Sequence, residues 1–143
     1  MAYVTWVTPA TWDGKYPLPD LPAGKIWTGP YQNSEGTGYS CIGFARMVLD
    51  ATYGRGSSLS KVSFSEVSPQ DAFKNIKKGA RVTFSRGGDQ QHGLIVASKS
   101  SSGIKAYDCN VKDDNTISYY DLSWARMKEK YTGIIGGYNP SAR

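Results

Sequence analysis

Apolar spacing changes character partway along the chain. From Cys41, apolar residues fall at Ile42, Phe44, Ala45, Met47, Val48 and Leu49, a single stripe at helical period. Ser40 is suited to cap the first turn and Gly54 to stop the last. The spacing therefore predicts a helix of about three to four turns with Cys41 in its first turn. Ser68-Pro69 followed by Asp71 combines a cap, an N1 proline and an early acid, which predicts a short second helix ending near Lys78-Gly79. Beyond that point the period drops to two. Residues 81–85 alternate, with Val82 and Phe84 on one side, and Gly87-Gly88-Asp89 turns the chain. Residues 92–98, 104–111, 116–120 and 131–138 then read as strands. Turns at 100–103 and 113–115 separate them, and a short helix falls within 122–130. Residues 31–39 and 54–60 read as loops. Helices first and an antiparallel meander afterwards predict an α+β fold, with N-terminal helices packed on a central antiparallel sheet.

Composition narrows this picture. The 143 residues, 39% hydrophobic and 20% charged, fit a single globular domain over 1–143. Residues 1–30 are rich in Pro, Gly and Trp, including Trp6, Trp12 and Trp27, and are expected to pack on that domain or line a groove in it. No apolar run approaches the ~20 residues of a membrane span. The opening Met1-Ala2-Tyr3-Val4 has neither a basic nor an apolar signal region, so no signal peptide is visible in the chain. The net charge of +5 suits an anionic partner, such as a bacterial wall rich in teichoic acid or peptide carboxylates. Only Lys74, Lys77, Lys78 and Arg81 cluster. The lack of a helix-turn-helix, zinc-finger or RNP-type pattern argues against nucleic acid.

The chemistry-bearing residues are few. A thiol attacks as its thiolate, and a helix N-terminus favours that anion, which makes Cys41 a candidate nucleophile; the competing reading is a structural cysteine. His92, the only His in the chain, opens a strand just after a Gly-rich loop and is the candidate base. On the next strand, alternation puts Asp108 and Asn110 on one face, where Asp108 can hold the imidazole and Asn110 can do so without charge. Cys109 then points the other way, which argues against a Cys41–Cys109 disulfide. Two cysteines and one His without a C-x-x-C pair do not make a zinc site, and neither a metal nor a cofactor is expected.

Three segments carry a family resemblance. Residues 38–46 (GYSCIGFAR) resemble the nucleophile helix of the NlpC/P60 and CHAP cysteine peptidases. Residues 76–84 are similar to the stretch in which a Gly turn enters the first core strand. Residues 91–96 (QHGLIV) look like the strand that begins with the catalytic His. The resemblance spans roughly residues 31–110. It implies a papain-like fold and a peptidoglycan peptidase or amidase, with Cys41 as nucleophile, His92 as base and Asp108 as third residue. Asn110 stands where the CHAP branch keeps an Asn, and Tyr31 stands about where an NlpC/P60 Tyr supports the oxyanion. Ser40 and Ile42 flank the Cys where NlpC/P60 members usually carry Asp and Ser, so the branch stays open. Rival readings are the same fold acting on another amide or ester, as a toxin or acyltransferase, and a non-catalytic wall-binding module. The implied partner is wall peptide, with an immunity protein added if the chain is a delivered toxin. A monomer, secreted or acting at the wall or periplasm, is expected.

Overall fold

The computed structural model describes residues 21–52 and 54–141. The expectations placed on Trp6, Trp12 and the rest of residues 1–20 lie outside these. In chain order the elements are a hairpin of β1 (Tyr31–Asn33) and β2 (Gly36–Gly38), α1 (Ser40–Thr52), β3 (Arg55–Ser58), β4 (Val62–Ser63) and α2 (Pro69–Ala72). They continue as β5 (Arg81–Ser85), β6 (Gln91–Lys99), β7 (Gly103–Cys109), β8 (Ile117–Ser123), α3 (Trp124–Lys130) and β9 (Gly133–Pro140). The fold is α+β. One antiparallel sheet runs β3-β9-β5-β6-β7-β8 in space, with β4 also on β9.

Both faces of the sheet are covered. Ile95, Ala97, Tyr107 and Cys109 point to one side, where α1 supplies Phe44, Met47, Val48 and Leu49. Leu94, Val96, Ala106, Val82 and Phe84 point to the other, where Phe73, Trp124, Met127 and Tyr131 close over them. This is why 92–98 reads as a nearly continuous apolar run: a strand buried on both faces has no polar side. Each fully buried Phe, Leu or Ile contributes roughly 1.5–3 kcal/mol, so the central strands are the stable platform of the molecule. Trp27 packs edge-on against Phe44, with centroids 5.7 Å apart, as part of the α1-side core.

Several elements depart from the pattern-based expectation. Residues 31–39 contain a hairpin and not only a loop, and β3 occupies part of the expected 54–60 loop. The second helix starts as expected, with the Ser68 hydroxyl accepting from Asp71 N–H, but it stops at Ala72. There the backbone turns to partners on β9: Lys77 N–H donates to Asn139 Oδ1 at 2.8 Å, and Asn139 Nδ2 donates to the Asn75 carbonyl at 3.0 Å. The strand expected over 104–111 ends at Cys109, because Asn110 adopts a left-handed φ of 71°. The helices do not all precede the sheet either, since β3 and β4 intervene and α3 follows β8.

Candidate functional site

α1 begins at a sharp turn. Ser40 has a φ of 48°, its N–H donates to the Thr28 carbonyl at 3.1 Å, and its hydroxyl donates to Asn115 Oδ1 at 2.7 Å. Ser40 therefore does not act as the side-chain cap that its position suggests. Its contacts fix the direction in which the helix leaves. Gly38 and Gly43 allow the hairpin to lie directly on the first turn of α1, because a Cβ on either would run into the backbone of the other. Cys41 is thereby held, half-buried, where α1 meets the end of β6.

His92, the second residue of β6, is buried, pairs across to Phe84 on β5 and lies parallel to the Tyr131 ring at 6.1 Å between centroids. Its Nε2 is 2.9 Å from Asp108 Oδ2. The ring also acts on the Cys41 thiol, as does the Gly93 N–H, each favouring its thiolate form. With Nε2 committed to Asp108, Nδ1 is the nitrogen left for Cys41. The sheet loosens where this contact forms: β6 and β7 pair from Ile95↔Tyr107 onward, away from His92.

Asp108 is fully buried on β7. A buried carboxylate needs donors, and Oδ2 has two, His92 and the Tyr120 hydroxyl at 2.6 Å. Oδ1 has no hydrogen-bond partner among the described residues. Tyr120 and Tyr131 were not picked out from the sequence. The β7–β8 register sets Asp108 opposite Ser118, so Tyr120, two residues on, shares its face. Alternation within 116–120 held that signal, but the register that gives it meaning is a long-range pairing.

The electrostatics follow from this packing. Burial drives the Cys41 thiol upward, yet the hydrogen bonds from His92 and Gly93, together with the imidazolium charge, outweigh it and leave the thiol below its ordinary value. Burial pulls His92 down, while its bonds to Asp108 and Cys41 and the Asp108 charge raise it to about 9. Both shifts favour a negative thiol beside a positive ring. Burial, and then the field of Asp108, push the Tyr120 and Tyr131 hydroxyls far up, so both stay protonated. Lys130 lies over the Tyr120 and Tyr131 rings at 5.9 and 5.6 Å. Burial lowers its pKa.

Cys41, His92 and Asp108 are thus brought together, while two other residues singled out in the sequence are not. The Tyr31 hydroxyl donates to Asp50 Oδ2 at 2.6 Å. Asp50 lies nine residues beyond Cys41 on α1, about 13 Å along a helix, so the expected oxyanion role of Tyr31 is not open to it. Asn110 is left-handed, and its Oδ1 accepts from Asn115 N–H at 2.8 Å, which makes it a turn-former and not a partner of His92. Asn110 does not share the Asp108 face because β7 has already ended at Cys109. Both cysteines are free, and Cys109 is buried, its thiol donating to the Trp27 carbonyl at 3.0 Å. Among the described residues no three His, Cys, Asp or Glu side chains gather as a metal-binding group. A thiol in contact with an imidazole that a buried carboxylate holds is chemically suited to nucleophilic attack. Against known proteins, the chain matches no family model, no curated protein and no solved structure.

Proposed function

We propose that this chain is a papain-like cysteine hydrolase of the NlpC/P60 or CHAP kind that cleaves amide bonds in bacterial wall peptide. The observation that carries the reading is His92, placed between the Cys41 thiol and Asp108 Oδ2. Its order of parts is also the one the sequence resemblance implies: a Cys at a helix start, a His opening a strand, an acid on the next strand.

In the proposed reaction the Cys41 thiolate attacks the amide carbonyl and a C–S bond forms. The backbone N–H of Cys41, in the first turn of α1, donates to the resulting oxyanion. The C–N bond then breaks, and the amine leaves with the proton held by His92. Water attacks the thioester while His92 takes its proton. The acid product departs and the thiol is restored. Asp108 holds the ring and stabilises its charged form throughout. Tyr120 holds Asp108 in turn, and Tyr131 fixes the plane of the ring. The proposal places the protein at the wall or periplasm.

Cys41→Ala tests it. On purified peptidoglycan, mass analysis of wild-type digests is expected to show new amine and carboxyl ends at one type of bond. The variant is expected to show none while still folding. Equal product from both proteins would sink the reading. Wild-type turnover of a small ester or amide with no product from wall would keep the nucleophile and move the substrate elsewhere.

A further inference from the structure

A cavity of about 410 Å³ lies on the α1 side of the sheet, with Ile42 and Gly93, the chain neighbours of Cys41 and His92, in its lining. Such a volume is in the range of small-ligand pockets. Its floor is a row of small residues across three strands: Gly93 on β6 faces Thr83 on β5, and Thr83 faces Gly136 on β9. A Cβ on Gly136 would meet nothing within 4 Å, so a side chain there would stand in the hollow. Its wall is the start of α1, with Ile42, Ala45 and Arg46. Ile42 follows Cys41 and Gly93 follows His92. The Cys41 carbonyl oxygen is 3.6 Å from where a Gly93 Cβ would stand. The lining thus adjoins the backbone of Cys41 and His92, although neither of their side chains lines the cavity.

Charge in the cavity is unbalanced. Glu35, from the hairpin turn, gives both oxygens to the Arg81 guanidinium at 2.7 Å each, and Arg55 approaches one of them at 3.3 Å. Arg55 and Arg81 are also set over the Tyr138 ring at 5.7 and 5.2 Å. Arg81 and Arg55 thus share the Glu35 carboxylate, and Arg46 acts on it only through its charge. Asp50, one turn along α1 from Arg46, has its Oδ2 bonded by Tyr31 and Asn33 and does not line the cavity. Arg46 has no ion pair among the described residues. Its guanidinium is a planar fork suited to a carboxylate.

We propose that this cavity is a substrate subsite for a carboxylate-bearing peptide segment, with Arg46 pairing the carboxylate and the Gly93–Thr83–Gly136 floor seating the chain beside Cys41. The inference rests on the hydrolase reading for the identity of the ligand as substrate, but its test does not pass through catalysis. The protein used is the Cys41→Ala chain, and the probes are N-acetyl-Ala-Glu-amide and its neutral isostere N-acetyl-Ala-Gln-amide. Amide resonances of Gly93, Gly136 and Gly137 report occupancy.

The Glu peptide is expected to shift these resonances and to bind at least about tenfold more tightly than the Gln peptide. Adding Arg46→Gln, a helix-compatible change, is expected to bring the Glu peptide down to the Gln level. Arg46→Lys keeps the charge without the fork and should fall between. Gly136→Val fills the hollow from a backbone that accepts a side chain, and should block both peptides while the protein remains folded. Equal affinity for the two peptides would overturn the proposal. So would binding that survives Arg46→Gln, shifts confined to other residues, no shift up to the solubility limit, or matching shifts from inorganic phosphate alone. A protein that binds the Glu peptide as described but cleaves nothing leaves the subsite standing and removes the hydrolase. A protein that cleaves wall through Cys41 but fails these titrations does the reverse.

Discussion

Asp108 is a carboxylate with no exposed surface, and three groups answer its charge: the His92 ring, the Tyr120 hydroxyl and, farther off, Lys130. Its effect on His92 can be measured, since the chain has only one His and its ring protons give a single titration curve. His92 is raised to about 9 against the opposing effect of burial. In Asp108→Asn the Asp108 charge is lost while burial remains, so the titration should move down toward neutral pH. An unmoved curve would mean that Asp108 does not hold the ring in solution. The sign for stability follows from linkage. A group whose pKa rises on folding contributes stability fully below its unfolded value, near 6.5, and loses that contribution as pH climbs through about 9. The wild type should therefore exceed Asp108→Asn in unfolding temperature by more at about pH 6 than at about pH 10. For the proposed hydrolysis, loss of the imidazolium removes the acid for the leaving amine, so the rate should fall above about pH 9.

At the scale of elements, what the sequence disclosed was local. Alternation alone bounds β5 at Arg81–Ser85, because Val82 and Phe84 are buried where their neighbour Thr83 is not. The α1 stripe and its Gly54 stop are equally legible, since Gly54 at φ 78° closes back on the Leu49 carbonyl. The placement of β9 between β3 and β5 depends on pairing between residues far apart in the chain, such as Arg81 with Tyr138 and Arg55 with Pro140, and no local pattern encodes it. The partner of Tyr31 is hidden for the same reason: the hairpin carries its hydroxyl along α1 to Asp50. The contact between α1 and its neighbours is also testable through two glycines. Gly43→Ala drives a Cβ into the Gly38 carbonyl and must push the hairpin off the helix, a backbone clash that should cost about 1–3 kcal/mol. A Cβ on Gly93 would instead stand 3.4 Å from Ile42 Cδ1 and 3.6 Å from Ala45 Cβ, ordinary packing distances, so Gly93→Ala should fold with little loss. Denaturant midpoints of the two variants check this. Equal midpoints would mean the hairpin does not rest on α1 as described.

The molecule as a whole assembles its candidate site from different layers. Cys41 arrives on α1, which covers one face of the sheet, whereas His92 and Asp108 project with Phe84 and Tyr131 toward the other. They meet at the end of β6, where its pairing with β7 lapses. Strand alternation and chain order suggest the His92–Asp108 contact, but not that it lies where the pairing of β6 with β7 lapses. Nor do they show the cavity that Gly93 and Gly136 help to line.

That layered origin makes the two thiols into separate clocks. Cys41 owes its lowered pKa to a ring on another layer, so any opening that lifts α1 from the sheet returns it to an ordinary thiol. Cys109 is sealed beneath α1 and its thiol is pushed up to about 12, mainly by burial. An alkylating reagent at neutral pH should therefore label Cys41 at once in the intact protein and leave Cys109 untouched. As denaturant is added, Cys41 labelling should slow just where Cys109 labelling begins, provided helix and sheet part together. Peptide mapping after timed alkylation separates the two sites. An earlier slowing at Cys41 would reveal a state in which the sheet persists while the nucleophile has already been disarmed.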